Sequence, residues 1–301
     1  MQTNTPPRNT LRLTRRGRLV TLVAGAVAAG TAVAVPLLLL AGDRDEARPA
    51  TLVIPEGWRA SQVYDAVDKA LRLPPGSTRK SLGKAALKLP GEAEGNPEGY
   101  LFPATYPIPE GATPESLLRT MVDTANDKYG LAPVTAGAQR NAMSLHQAVT
   151  VASIVQAEAG TKADMGKIAR VILNRLARGM PLQMDSTVGY ALEHDPAPAG
   201  QGSGQVQSPY NSYQRMGLPP TPIDNPGADA MRAALNPTPG DWLYFVTVRP
   251  GDTRFTADYD EHLRNVAEFH AVHQSAAPAQ PGGGVPWSSS SAVPASPPSG
   301  G

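Results

Sequence analysis

Glu158 is the residue in this sequence best placed for acid–base chemistry. It is the only acid in Ser144–Ala159, SLHQAVTVASIVQAEA, where Leu145, Ala148, Val149, Ala152, Val155 and Ala159 recur at helical spacing. Val151 and Ile154 fall on the same side as Glu158, seven and four residues before it. A carboxyl held on an apolar strip is disfavoured in its charged form, so its pKa should rise toward the range useful to a proton donor. The plainer alternative is a glutamate at a fraying helix end, open to water.

Polar groups that can hold a substrate follow it. PLQMDSTVGYAL places Gln183, Asp185 and Thr187 at every second position, so an extended backbone aims all three at one face. Such a face beside a lone acid suits the hydroxyls of a saccharide; the alternative is a set of turn and cap residues satisfied within the fold. SPYNSYQRMGLPPTPIDNPG, from Ser208 to Gly227, adds the Asn211 amide and the rings of Tyr210 and Tyr213, whereas Asn225 reads as an Asx-turn residue in a rigid, proline-rich loop. In NPEGYLFPATYPIP, Asn96 to Pro109, the prolines forbid a helix and predict a rigid loop or edge strand carrying Glu98, the second acid of interest, and Tyr106. His262, His270 and His273, spaced by eight and three, match no familiar metal pattern and read as residues of a surface helix. With no cysteine in the chain, disulfides and thiolate sites are excluded, and nothing points to a metal or organic cofactor.

The elements that must position these groups are legible from local signals. Ser144 and Gln147 form a capping-box pattern at the start of the Glu158 helix, and Gly160 is its natural stop. Asp164 can cap a second helix with Ile168, Val171, Ile172 and Leu176 inward, ending at Gly179 before Pro181. Upstream, Leu52–Ile54 reads as a strand, followed by a Pro-Glu-Gly turn and a helix capped by Ser61 with Val63, Tyr64, Val67 and Leu71 inward. Thr113 and Pro114 open an amphipathic helix that buries Leu117, Leu118, Met121 and Val122. Downstream of a Gly- and Pro-rich rim, Glu193 to Pro209, a helix is predicted over Ala228–Leu235, then a hairpin, LYFVTV and TRFTADY joined by RPGD.

The 301 residues are enough for a sizeable core. Residues 1–18 carry Arg8, Arg12, Arg15, Arg16 and Arg18 and no acid, and residues 19–41 carry no charge at all. That pattern predicts a transmembrane helix over 19–41 with a cytoplasmic N-terminus. The rival is a signal peptide cleaved after Ala32 and Ala34, but PLLLLA prolongs the apolar run beyond that point. Taking those five arginines from the net charge of +1 leaves −4 for the rest, which disfavours nucleic acid as a partner. Residues 42–50 read as a linker, and 274–301, rich in Ala, Pro, Gly and Ser without Asp, Glu, Lys or Arg, as a disordered tail.

ASIVQAEAG, the Asp164–Leu192 run and the Ser208–Gly227 run, in that order, resemble the bacterial endolytic murein transglycosylases, the MltG or YceG-like family. NPEGYLFPATYPIP, ALNPTPGDWLYFVTV and FTADYDEHLRNV fit the same pattern, so the resemblance covers roughly residues 51–270; it implies that the first of these segments borders the catalytic groove, with Glu98 and Tyr106 as substrate contacts, the alternative being that they buttress the fold. It implies an α+β protein: a small LysM-like strand–helix subdomain over 51–95, shorter than a full module, then a mixed helical and β catalytic domain over 96–273. The implied enzyme is a lyase in which one glutamate, here Glu158, serves both proton transfers. It cuts nascent glycan strands of peptidoglycan outside the cytoplasmic membrane, beside the synthases of wall growth, and leaves 1,6-anhydro-muramic ends. The family often has Glu at the place of Gln156 and Pro at that of Ser186; the first departure points to Glu158 as the essential acid, and the second loosens a turn. A muramidase that uses water through Asp185 or Glu98, and a non-catalytic wall-binding scaffold, are the other readings.

Overall fold

The computed structural model describes residues 50–194 and 206–276. The basic segment 1–18, the span 19–41, nearly all of the linker, most of the rim and the tail from 277 lie outside the described residues. Among those described, no helix is long and apolar enough to cross a membrane.

The described residues from Thr51 onward build a compact α+β unit. Its elements in order are β1 (Thr51–Val53), α1 (Ala60–Ala70), α2 (Ser77–Ser81), β2 (Thr105–Pro107), α3 (Pro114–Tyr129), α4 (Ala132–Arg140), α5 (Leu145–Glu158), α6 (Lys162–Ala177), α7 (Asp185–His194), α8 (Ala228–Leu235), β3 (Tyr244–Arg249), β4 (Asp252–Thr256) and α9 (Tyr259–Ala276). β1 pairs antiparallel with β2, Leu52 opposite Tyr106, which makes the proline-rich segment an edge strand. β3 and β4 form the predicted hairpin, turning through Gly251 at φ +82°.

The centre of the unit is α5. From Ala148 to Val155 every side chain is buried, so the helix is core on all sides and not amphipathic. Its start is the predicted capping box: Ser144 Oγ accepts the Gln147 N–H at 3.2 Å and Gln147 Oε1 accepts the Ser144 N–H at 2.9 Å. α8 and α6 pack on it, and one apolar core runs from Leu52 through Met121, Ile154 and Ile172 to Phe245. α3 begins as expected, with Thr113 Oγ1 accepting from Ser116 N at 3.2 Å, and α8 has the predicted bounds.

Several local expectations are corrected. Ala159 ends α5 by turning extended, φ −79° and ψ 115°, so Gly160 is not its left-handed stop. α6 begins a turn early, at Lys162 after Thr161, and Asp164 sits in its first turn accepting the Thr161 hydroxyl at 2.8 Å. α1 starts at Ala60; Ser61 donates instead to Glu193 at 2.6 Å. α9 is not purely a surface helix, because His262 is buried and stacks on Tyr244 with centroids 5.0 Å apart.

Candidate active site

Glu158 is the last residue of α5 and is half-buried. Its Oε1 accepts two hydrogen bonds from one residue, the Ser186 N–H at 3.2 Å and the Ser186 hydroxyl at 2.6 Å. Burial pushes the carboxyl above the usual carboxylate range, the Ser186 bonds pull it back, and the charge of Asp185 adds to the rise. Ser186 lies in the first turn of α7, where backbone N–H groups have no partner inside the helix and carry partial positive charge.

Residues 183–187 are not extended. Asp185 opens α7, and the polar spacing that suggested a strand is the Asp-Ser-Thr signature of a helix start. Gln183 precedes it at φ +53°, half-buried, with its N–H on Ser212 O at 3.0 Å. Its Oε1 accepts from Arg175 Nη1 at 3.0 Å. Arg175 is the residue that fixes this turn: buried, it also donates to the carbonyls of Pro181 and Leu182 at 3.0 Å and of Leu243 at 2.6 Å, under the ring of Tyr244. Its place near the end of a predicted helix gave no sign of that role.

The other expected residues separate into two groups. Asp185 and Tyr213 are half-buried beside Glu158, joined by a hydrogen bond of 2.6 Å from the Tyr213 hydroxyl. Tyr210 is also half-buried and shares a 2.8 Å bond with Thr221. Thr187 and Asn211 have no exposure. The Thr187 hydroxyl bonds Met184 O at 2.7 Å, and Asn211 bridges Val206 O and Tyr213 N at 2.8 and 3.0 Å. Tyr106 is buried with its hydroxyl on Phe102 O at 2.6 Å.

Glu98 is 1% exposed and does the work expected of Ser61. Both of its oxygens accept the Ala60 N–H, at 2.9 and 3.1 Å, so it caps α1 from 38 residues away. Asn225 is no Asx-turn residue: its amide joins Leu101 N, Trp58 O and Glu98 Oε1 at 2.8, 2.8 and 3.2 Å. Gln156 has a like task at the head of α8, where its Oε1 accepts the Gly227 N–H at 3.0 Å. Among the described residues no cluster of His, Cys, Asp and Glu could hold a metal ion.

A helix-terminal glutamate gripped by the first turn of α7 is thus the centre of the candidate site, and the chain that carries it matches a known family model. The YceG-like family model covers residues 29–268. This chain belongs to the YceG-like family. A Bacillus subtilis relative named endolytic murein transglycosylase is 40% identical over 166 residues, 55% of this chain and 46% of the relative. One of the same name from Streptococcus pneumoniae is 34% identical over 254 residues, 73% of this chain and 44% of the relative. The chain therefore spans less than half the length of these two relatives. A 2.6 Å crystal structure of a putative YceG-like protein from Listeria monocytogenes has the same fold, with a TM-score of 0.62 and 32% identity over 72% of this chain and 75% of that one.

Proposed function

We propose that this chain is a lytic transglycosylase that cuts nascent peptidoglycan glycan strands internally, at the bond from N-acetylmuramic acid to N-acetylglucosamine, and so ends their elongation. The observation that carries the reading is the state of Glu158: a half-buried carboxyl, raised by burial, with one oxygen tied to Ser186 and the other without a hydrogen-bond partner among the described residues. The family membership and the names of its relatives support the same activity.

Such a group can act twice. Protonated Glu158 gives its proton to the glycosidic oxygen as the bond to C1 breaks, and the electron pair of that bond stays on the departing oxygen. The C6 hydroxyl of the same muramic residue then bonds to C1 and yields its proton to the Glu158 carboxylate. A 1,6-anhydro ring forms, Glu158 is restored to its acid form, and no water is consumed. Asp185 and Tyr213 are the half-buried polar groups that act on this side chain, and with Gln183 and Tyr210, half-buried on the neighbouring segments, they would hold the sugar.

The apolar stretch 19–41 completes the reading as a single-pass anchor, with the N-terminus inside and the catalytic unit outside. There the strand leaving a synthase is within reach, and the glycan polymerases and transpeptidases of wall growth are the partners.

Mass spectrometry of fragments released from purified peptidoglycan by the full chain tests the activity, with Glu158→Gln beside it. Fragments with 1,6-anhydro-muramic ends, absent with the variant, are expected. Reducing ends, heavier by one water, would instead favour the second reading, in which Asp185 beside Glu158 activates water. Release of nothing from any strand would leave a wall-binding scaffold.

A further inference from the structure

Glu158 and Ser186 meet across 28 residues, and one oxygen takes both of the serine's donors. Oε1 accepts the N–H at 3.2 Å and the hydroxyl at 2.6 Å. The second distance is that of a charge-assisted bond to a carboxylate. Oε2 has no hydrogen-bond partner among the described residues, so the two oxygens of this carboxyl are inequivalent before any substrate arrives. A carboxyl free to rotate about its terminal torsion would present either oxygen. This one is pinned.

We propose that Ser186 is a positioning residue for Glu158: its two donors hold Oε1 and leave Oε2 as the oxygen that both gives the proton to the leaving oxygen and receives it from the attacking one. The assignment rests on the lytic reading above and deepens it. A single oxygen serving both transfers requires that departing and attacking oxygens approach from one side of the carboxyl, and pinning Oε1 enforces that. The same two bonds favour the carboxylate, the form needed in the second half of the reaction, and so oppose the burial that favours the acid. Ser186 thereby offsets part of the rise that burial imposes on Glu158. The titratable groups acting on the pair are Asp185, next to Ser186 in α7, and Tyr213 from the segment after residue 206; Val151 and Ile154 on α5 are apolar.

Direct titration of Glu158 tests this without relying on activity. The full chain in detergent micelles, labelled with carbon-13 at glutamate carboxyls, gives one signal lost in Glu158→Gln, and its midpoint is followed in Ser186→Ala and Ser186→Thr. Alanine removes the hydroxyl and keeps the N–H; threonine keeps both. Alanine should raise the midpoint, on the order of tenfold in proton affinity, as expected for losing a hydrogen bond to a charged group. Threonine should keep the midpoint of the parent. The alkaline limb of glycan release should move with it, since the first step needs the acid. An unmoved midpoint in Ser186→Ala, with the fold intact by circular dichroism, overturns the assignment. A moved midpoint in a chain that releases no glycan upholds the grip of Ser186 and overturns the lytic reading instead.

Discussion

The Tyr213 hydroxyl donates to Asp185 Oδ1 at 2.6 Å, one residue before the serine that grips Glu158. Tyr213 reaches there from a segment 28 residues downstream, and its own ionisation is pushed up by burial and by Asp185. Asp185 is thus a held charge, and its effect on Glu158 is opposite in sign to that of Ser186. Asp185→Asn should lower the proton affinity of Glu158, so the alkaline loss of activity should set in at lower pH than in the parent chain. Tyr213→Phe keeps the charge and removes its donor, a change worth about 1.5–3 kcal/mol for a hydrogen bond to a charged group. Stability in urea should fall by that order, and the pH profile should not follow the direction of Asp185→Asn. A shift of the same sign in both variants would mean that Tyr213 acts on Glu158 directly.

Arg175 sets the turn that delivers α7 to the site. Its guanidinium bonds three carbonyls and Gln183 Oε1, and no acid lies within ion-pair distance of it among the described residues. Lysine has the charge but not the planar fork. Arg175→Lys should cost about 2–4 kcal/mol, the scale of leaving buried partners unsatisfied, and should lower activity as residues 181–186 loosen. Arg232→Lys, on an exposed ion pair with Asp229, should cost under about 1 kcal/mol. Comparable urea midpoints for the two variants would remove Arg175 from the framework of the site.

What the sequence reveals here divides by distance along the chain. The α5 capping box, the Thr113 cap, the bounds of α8 and the β3–β4 hairpin are set by residues within a few positions of one another, and pattern reading finds them. Glu158 is legible for the same reason, since it is the one acid in its own helix. The failures are tertiary. Ser61 looked like the cap of α1 because the true cap, Glu98, arrives from 38 residues away. Asn225 looked like an Asx turn because its partners, Trp58 and Leu101, are 167 and 124 residues distant. Residues 183–187 alternate like a strand, yet the left-handed turn at Gln183 that starts α7 depends on Arg175 and Ser212. Ser186 carries no local sign of the Glu158 carboxyl that it grips from 28 residues away.

Gly99 joins Glu98 to the core and gives a sharp test of packing around α5. Its φ is +84°, and a Cβ there would lie 2.5 Å from Pro222 Cγ and 3.0 Å from Val149 Cγ1. Neither neighbour can yield easily: one is a ring in a proline-rich loop, the other a stiff side chain of the central helix. Gly99→Ala should cost about 2–4 kcal/mol from strain and overpacking together. At Gly251 φ is +82° but no atom lies within 4 Å of the added carbon, so Gly251→Ala should cost about 1 kcal/mol, the backbone strain alone. Equal losses in urea unfolding would show that the loop at Pro222 gives way.

Glu98 should make the fold itself pH-dependent. Burial pushes its carboxyl from 4.5 up to about 8, against the Ala60 N–H bonds, the Tyr190 hydroxyl and the charge of Arg59, with Glu193 adding to the rise. Asp224, buried nearby and coupled to Glu98, is raised in the same sense. Between pH 4.5 and about 8 the folded chain keeps a proton that the unfolded chain has released. The folded state therefore binds more protons across that window, and stability falls as pH rises through it, by at most about 1.4 kcal/mol per pH unit for each such group. Glu98→Gln retains an acceptor for Ala60 and Asn225 but carries no charge, and it also relieves Asp224. Urea midpoints at pH 5 and pH 8 should separate in the parent chain and draw together in Glu98→Gln. Glu98→Ala should be less stable than the glutamine variant at both pH values, because the Ala60 N–H then loses its acceptor and the Asn225 amide one of its two. A parent chain whose midpoint holds steady from pH 5 to pH 8 would mean that Glu98 stays ionised as a plain helix cap.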